Sequence, residues 1–412
     1  MKPVALWIAA AVLSAAADNS FLIRGAAVYP VSSPAIENAS LLVLDGRVAA
    51  VGPKIAAPKG VRVIDGKGLR VYPGMIDSAT EVGMSEIGAV GVTNDVRELG
   101  DFKPQLRAGI AVNPSSEHIP VIRANGITAA MAVPDGGVIA GQASLMRLDG
   151  WTWEEMAVKL DAALHLNFPA IAARRNTPFS EAKREYNRDL KQLDEYLEQA
   201  RRYQTARKAA GPGFRTNLQF EAMLPLLEGK VPLMVTAVRE REIKAAVEWA
   251  EKQKLRLVLS EVRKPGAMLA ELKAKNIPVI LGPVQDLPLD HDDPYDAAFT
   301  LPAELYKAGV RFAFGSFGNQ FSRNLPYQAA TAVAFGLPYE EGLKSVTLYP
   351  AEIWGVSAEM GSIEKAKWAD LMVTDGDPLE VKTQVRRLFI KGREVDLESK
   401  HTRLYKKYLA RP

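Results

Sequence analysis

Two carboxylates, Asp77 and Glu81, close an apolar run that begins at Val71. At one strand end, with one protonated and the other ionised, such a pair does general acid–base work. The plainer use of the same residues is structural: Asp77 accepts backbone N–H groups and Glu81 solvates a loop. Further along the chain, Thr236, Glu261, Asn319, Arg323 and Asn324 are expected to line a substrate pocket. Arg323 carries the planar fork that grips a carboxylate through two parallel hydrogen bonds. Asn324 and Pro326 equally suit the start of a helix.

The chain has four histidines, and none has the His-x-His or His-x₃-His spacing of a metal centre. His118 falls in a loop and His401 in a charged tail. Apolar spacing from Trp151 to Leu166 predicts an amphipathic helix, which makes His165 a structural histidine. His291 lies in the acidic stretch Asp290 to Asp293, which suits a hard cation or, in preference, the cap of the following helix. The glycine-rich stretch Pro134 to Gln142 offers backbone amides to an anion, although a tight turn is its commoner use. No Lys-Ser/Thr follows to make it a phosphate loop.

The elements that position these residues are legible as alternation. Val71 to Asp77 is a buried strand with polar groups at its C-terminal end. Gly126 to Pro134 and Ala143 to Leu148 are strands. Four strand–helix pairs follow, with strands at Val231, Leu255, Ile277 and Val310. This repetition predicts an α/β fold with a parallel sheet. Ser180 to Ala210 is a charged surface helix with Leu190, Leu193, Tyr196, Leu197 and Tyr203 on one stripe. Short strands with Gly, Asp and Pro turns occupy both chain ends, among them a hairpin at Asp45-Gly46.

Composition narrows the function. A net charge of +4 over 412 residues, without a dense basic patch, excludes nucleic acid as the expected partner. The chain lacks cysteine, so disulfides, thiolate metal sites and a cysteine nucleophile are excluded. Lys2, the uncharged run Val4 to Leu13 and the small residues Ala15 to Ala17 predict a signal peptide over residues 1–17 and an exported, periplasmic or extracellular protein. Its apolar core is shorter than the roughly 20 residues of a permanent membrane span.

The stretch Pro73-Gly-Met-Ile-Asp77 resembles the first barrel strand of the amidohydrolase superfamily, Pro-Gly-(Leu/Phe/Met)-Ile-Asp-x-His-x-His. Glu37 to Pro53 and Gly361 to Pro378 resemble the family's terminal segments, and Arg323-Asn-Leu-Pro-Tyr327 resembles wording of its imidazolonepropionase-like branch. The resemblance implies a (β/α)₈ TIM-type barrel over 71–350 and a small β-sandwich built from 18–70 and 351–397, with 398–412 as a tail. It implies hydrolysis of non-peptide carbon–nitrogen bonds with a divalent metal such as zinc. The metal-binding positions, however, hold Ala79 and Glu81 on the first strand and Thr236 and Val238 on the fifth. The sixth strand ends Ser260-Glu261 without histidine, and Phe317 stands for the aspartate of the eighth. The expectation is therefore a family member without cofactor or metal ligands, binding a small molecule in the barrel mouth. Two alternatives stand beside it: an active hydrolase using a non-standard metal site or the Asp77/Glu81 pair, and a non-catalytic interaction protein that uses 180–210.

Overall fold

The computed structural model describes residues 19–171 and 178–411. The expected signal peptide lies outside the described residues. The chain opens with strands β1 (Phe21–Val28), β2 (Ile36–Leu44), β3 (Arg47–Gly52), β4 (Arg62–Asp65) and β5 (Arg70–Pro73). The barrel strands follow: β6 (Met75–Thr80), β7 (Ile127–Ala132), β8 (Ile139–Arg147), β9 (Ala157–Asn167), β10 (Leu233–Thr236), β11 (Leu257–Val262), β12 (Val279–Leu281) and β13 (Phe312–Phe314). Strands β14 (Leu371–Thr374), β15 (Val385–Ile390) and β16 (Arg393–Val395) come last.

Both chain ends form one sheet, ordered β16-β15-β14-β5-β1-β2-β3, with β4 also on β1. Its central joint is antiparallel, Leu371 opposite Pro73 and Thr374 opposite Arg70. The rings of Phe21 and Phe389, from opposite ends of the chain, stack 4.3 Å apart. The expected hairpin joins β2 and β3. Asp45 and Gly46 both have positive φ (48° and 77°), the geometry of a tight turn whose twist matches its strands.

The second sheet is an eight-stranded, nearly closed barrel in chain order from β6 to β13. Its seam is joined where the Phe317 N–H donates to the Ala79 carbonyl at 2.8 Å. Alternate side chains separate two apolar layers. Ile76, Ala129, Met131, Met234, Val258, Ile280 and Ala313 pack together on one face. Met75, Ile127, Leu233, Val235, Leu257, Leu259, Val279 and Phe312 pack with helix residues such as Ile243, Leu272 and Leu305 on the other.

Two expectations fail on the β7–β9 side. β8 runs antiparallel to both neighbours, so the parallel order is broken there. The helix expected over Trp151 to Leu166 is a short helix, Trp153–Met156, followed by β9. Residues 162–166 of β9 are all buried, so they show an unbroken apolar run rather than strict alternation. Such a run has no period that separates strand from helix. The charged helix does form, as Phe179–Lys208, and buries Ala182, Leu193, Leu197 and Ala200 on one stripe. Asp194 on that helix accepts the Trp249 indole N–H at 2.8 Å. The tail forms the helix Lys400–Leu409, started by Ser399. No helix among the described residues is long and apolar enough to cross a membrane.

Candidate active site at the barrel mouth

The C-terminal ends of β6, β9, β10, β11 and β13 gather the polar residues. Asp77 on β6 is fully buried. Its Oδ1 accepts the backbone N–H of Ser316 at 3.0 Å and of Ala79 at 3.3 Å. Burial pushes its carboxyl up to about 6, against the hydrogen bonds from Ser316 and Ala79. Its Oδ2 is buried and has no partner among the described residues.

Three hydroxyls tie the β6 and β13 ends together. Ser322 Oγ lies 2.8 Å from Thr80 Oγ1 and 2.7 Å from Ser316 Oγ. All three hydroxyls lie within hydrogen-bond reach of the Gly318 carbonyl, at 2.7 Å from Thr80, 3.2 Å from Ser316 and 2.8 Å from Ser322, and their three protons are shared between that carbonyl and the hydroxyl–hydroxyl contacts. Phe317 is held in this turn at φ 51° and packs on the barrel interior. Ser322 escaped sequence reasoning, because a lone serine beyond a strand end carries no spacing signal.

Glu81 and Glu261 are half-buried on the mouth side. Burial raises both carboxyls, and the charge of Asp135 raises them further, with Arg97 opposing at Glu81 and Arg263 at Glu261. Asp135 is itself held by Asn167 Nδ2 at 3.2 Å and by Arg97 at 3.6 Å. No hydrogen bond among the described residues joins Asp77 to Glu81, so the two are not brought together as a bonded acid–base pair.

His165 is not on a helix. It is on β9, beside Met234 of β10, and only 4% exposed. Its Nδ1 lies 2.7 Å from the Pro134 carbonyl and its Nε2 lies 3.0 Å from Thr236 Oγ1. A carbonyl only accepts, so Nδ1 carries the proton. Nε2 then presents a lone pair, and the Thr236 hydroxyl donates to it. Burial lowers the imidazole pKa, with the Pro134 carbonyl and Asp135 opposing, so the neutral ring is favoured.

Asn319, Arg323 and Asn324 lie on the segment that follows β13. Asn319 and Arg323 line a surface groove of about 550 Å³ with Glu86, His118, Lys400 and His401. Asn319 Nδ2 donates to the Ser85 carbonyl at 2.7 Å. Asn324 stands at the start of the helix Leu325–Ala334, with no side-chain cap bond and Pro326 in its first turn. The acidic stretch is corrected as well. Asp290 pairs with Arg239 at 2.6 Å and Lys264 at 3.0 Å, and Lys264 also binds Asp293. These carboxylates bind cationic side chains rather than capping a helix, and Asp296 at the helix start makes no cap bond either.

A divalent transition metal does not fit this donor set. Among the described residues, no three His, Cys, Asp or Glu side chains converge as for a metal ion. The mouth offers one imidazole, engaged on both nitrogens, hydroxyls, which are poor zinc ligands, and the carboxylates of Asp77, Glu81 and Glu261, which do not converge with it on a common point among the described residues.

Comparison with known proteins places this architecture. The amidohydrolase family model matches residues 296–395. "Amidohydrolase tasK" of Hapsidospora irregularis is 22% identical over 386 residues, 85% of this chain and 39% of that protein. The chain thus spans about two fifths of the length of the curated relative it matches. The crystal structure of an amidohydrolase from Thermotoga maritima superposes with a TM-score of 0.82 at 28% identity, covering 91% of this chain and 99% of that one. An adenosine deaminase from Xanthomonas campestris with bound zinc superposes at 0.54 and 18% identity, covering 94% and 96%, which is likeness of fold alone. The motif at Pro73–Asp77, the barrel beside a sheet from both chain ends, and these matches agree in supporting the amidohydrolase superfamily.

Proposed function

We propose that this protein binds a small organic molecule in its barrel mouth and works there without the divalent metal that amidohydrolases use. The observation that carries this reading is the identity of the mouth's donors. Ala79, Val238 and Phe317 have no lone pair to give, and Thr236 is committed to His165. The Thr80–Ser316–Ser322 knot uses its hydroxyls on one another and on the Gly318 carbonyl, where a metal would need free donors. Phe317 adds apolar surface, which suits an organic ligand better than ionised water. In this reading Glu81 and Glu261 orient the ligand, and Asp77 holds the barrel seam.

The test is metal content after purification without chelator, followed by zinc titration under calorimetry. Substoichiometric zinc, iron and manganese, with no high-affinity zinc isotherm, is the expected result. One tightly held zinc per chain would restore an ordinary metallohydrolase. We further propose that the protein is exported after removal of residues 1–17.

A further inference from the structure

We propose that Thr236 and His165 form a nucleophile–base dyad that opens esters and activated amides through an acyl group on Thr236. The inference rests on the metal-free reading of the mouth.

Four observations carry it. The hydrogen bond from Thr236 Oγ1 to His165 Nε2 has the 3.0 Å length at which a base activates a hydroxyl. The base is oriented by a third group, since its Nδ1–H is fixed on the Pro134 carbonyl at 2.7 Å. Exposure differs in the useful sense. His165 is sealed, whereas Thr236 keeps part of its surface open at the C-terminal end of β10, opposite Ser260, the residue before half-buried Glu261. A histidine needing only a hydrogen-bond partner has no use for one that faces the mouth. The register of β9 and β10, Met234 beside His165 and Thr236 beside Asn167, fixes both residues on paired strands rather than on loops.

The step balances on these atoms. Thr236 Oγ1 attacks the substrate carbonyl carbon while its proton passes to His165 Nε2. The carbon–nitrogen or carbon–oxygen bond to the leaving group breaks, and His165 Nε2–H returns that proton to the departing amine or alcohol. Thr236 is left as an ester. A water molecule then attacks this ester, gives its proton to Nε2, and releases the acid and the free hydroxyl. The Pro134 carbonyl and the nearby charge of Asp135 steady the transient imidazolium.

The probe is an alkyl β-lactone, whose ring carbonyl is attacked and whose alkoxide stays attached, so acylation adds the whole mass of the probe to the chain as a Thr236 ester that persists until water removes it. The protein is incubated with it both with and without EDTA, the acyl ester is trapped by rapid acid quench, and adducts are read by intact mass and peptide mapping. One adduct on Thr236 is expected, with labelling reduced at least 100-fold in Thr236→Val and within about tenfold of the parent in Thr236→Ser. His165→Gln should fall by roughly 10²-fold, the scale of a lost general base. Circular dichroism melts check that each variant is folded, and if His165→Gln is not, the contrast between Thr236→Val and Thr236→Ser decides. No adduct on folded parent protein with or without EDTA, an adduct elsewhere, or undiminished labelling of folded His165→Gln overturns the dyad and leaves the metal-free reading standing. Labelling that EDTA abolishes and zinc restores overturns the metal-free reading instead.

Discussion

Arg147, the last residue of β8, and Asp370, just before β14, form an ion pair 3.3 Å apart with only 3% and 2% of their side chains exposed. The pair joins the barrel to the sheet made from both chain ends. Asp370 is used three times over. Its Oδ2 meets Arg147, its Oδ1 accepts the Lys391 N–H at 2.8 Å, and its carbonyl accepts the Gly74 N–H at 2.8 Å. Removing one partner leaves a buried charge alone. Arg147→Met should therefore destabilise the protein by about 3–5 kcal/mol in urea unfolding, and Arg147→Met with Asp370→Leu should recover part of that loss. A single substitution costing under about 1 kcal/mol would show that water reaches the joint.

Asp77 makes stability fall with rising pH. Its carboxyl is raised from 3.8 to about 6 by burial, so the folded state holds the proton more tightly than the unfolded chain. Below about pH 4 both states are protonated and no penalty exists. Between about 4 and 6 the penalty grows, and above 6 it is complete at roughly 3 kcal/mol for a shift of about two units. Asp77→Asn keeps an oxygen for the Ser316 and Ala79 amides and removes the charge. The variant should be more stable than the parent by about 2 kcal/mol at pH 8 and no more stable at pH 3.5. Equal melting temperatures at both pH values would count against this account.

Gly74 sits between β5 and β6, where the two sheets meet. A Cβ there would overlap the Thr128 hydroxyl and methyl and come within 2.7 Å of Thr128 Cβ. Thr128 is fully buried and donates to the Met75 carbonyl at 3.4 Å, so it has no room to withdraw. Gly74→Ala should cost about 1–3 kcal/mol or more by overpacking. Adding Thr128→Ala should restore part of it, since the hydroxyl and methyl are then gone while Cβ remains. Chemical denaturation of the two single variants and the double variant measures the coupling.

Export makes a separate prediction. Secreted by a bacterial host, the mature chain should begin at Asp18 by N-terminal sequencing, because Ala15 to Ala17 offer the small residues of a cleavage site. Retention of Met1 on cytoplasmic protein would exclude the leader.

Legibility in the sequence was uneven for physical reasons. Pro73-Gly-Met-Ile-Asp77 and Asp45-Gly46 were readable because each depends on a few adjacent residues with restricted backbone or a fixed role. β9 reads as a helix in the sequence because a strand buried on both faces loses its alternation. That reading hides His165, which marks the mouth through its place next to β10. Arg323 and Asn319 read as pocket residues through their nearness in sequence to β13. Ser322 turns that segment back onto Thr80 and Ser316, and Asn319 and Arg323 line the groove shared with Glu86, His118 and His401. Asp290 was misread because its partners, Arg239 and Lys264, lie tens of residues away, beyond any local pattern.

The reversal of β8 bears on how the chain folds. β7, β8 and β9 form an up–down–up meander within residues 127–167, so their pairings need only short loops to close. The seam between β6 and β13 needs contacts such as Ser316 to Asp77, 239 residues apart. Closing the longer loop costs more chain entropy before any contact is gained. The meander should therefore gain amide protection early in pulsed hydrogen exchange, and the seam amides of Ser316 and Phe317 should gain it last. Mouth chemistry assembled on β9 and β10 would then wait on a seam whose own residues take no part in it.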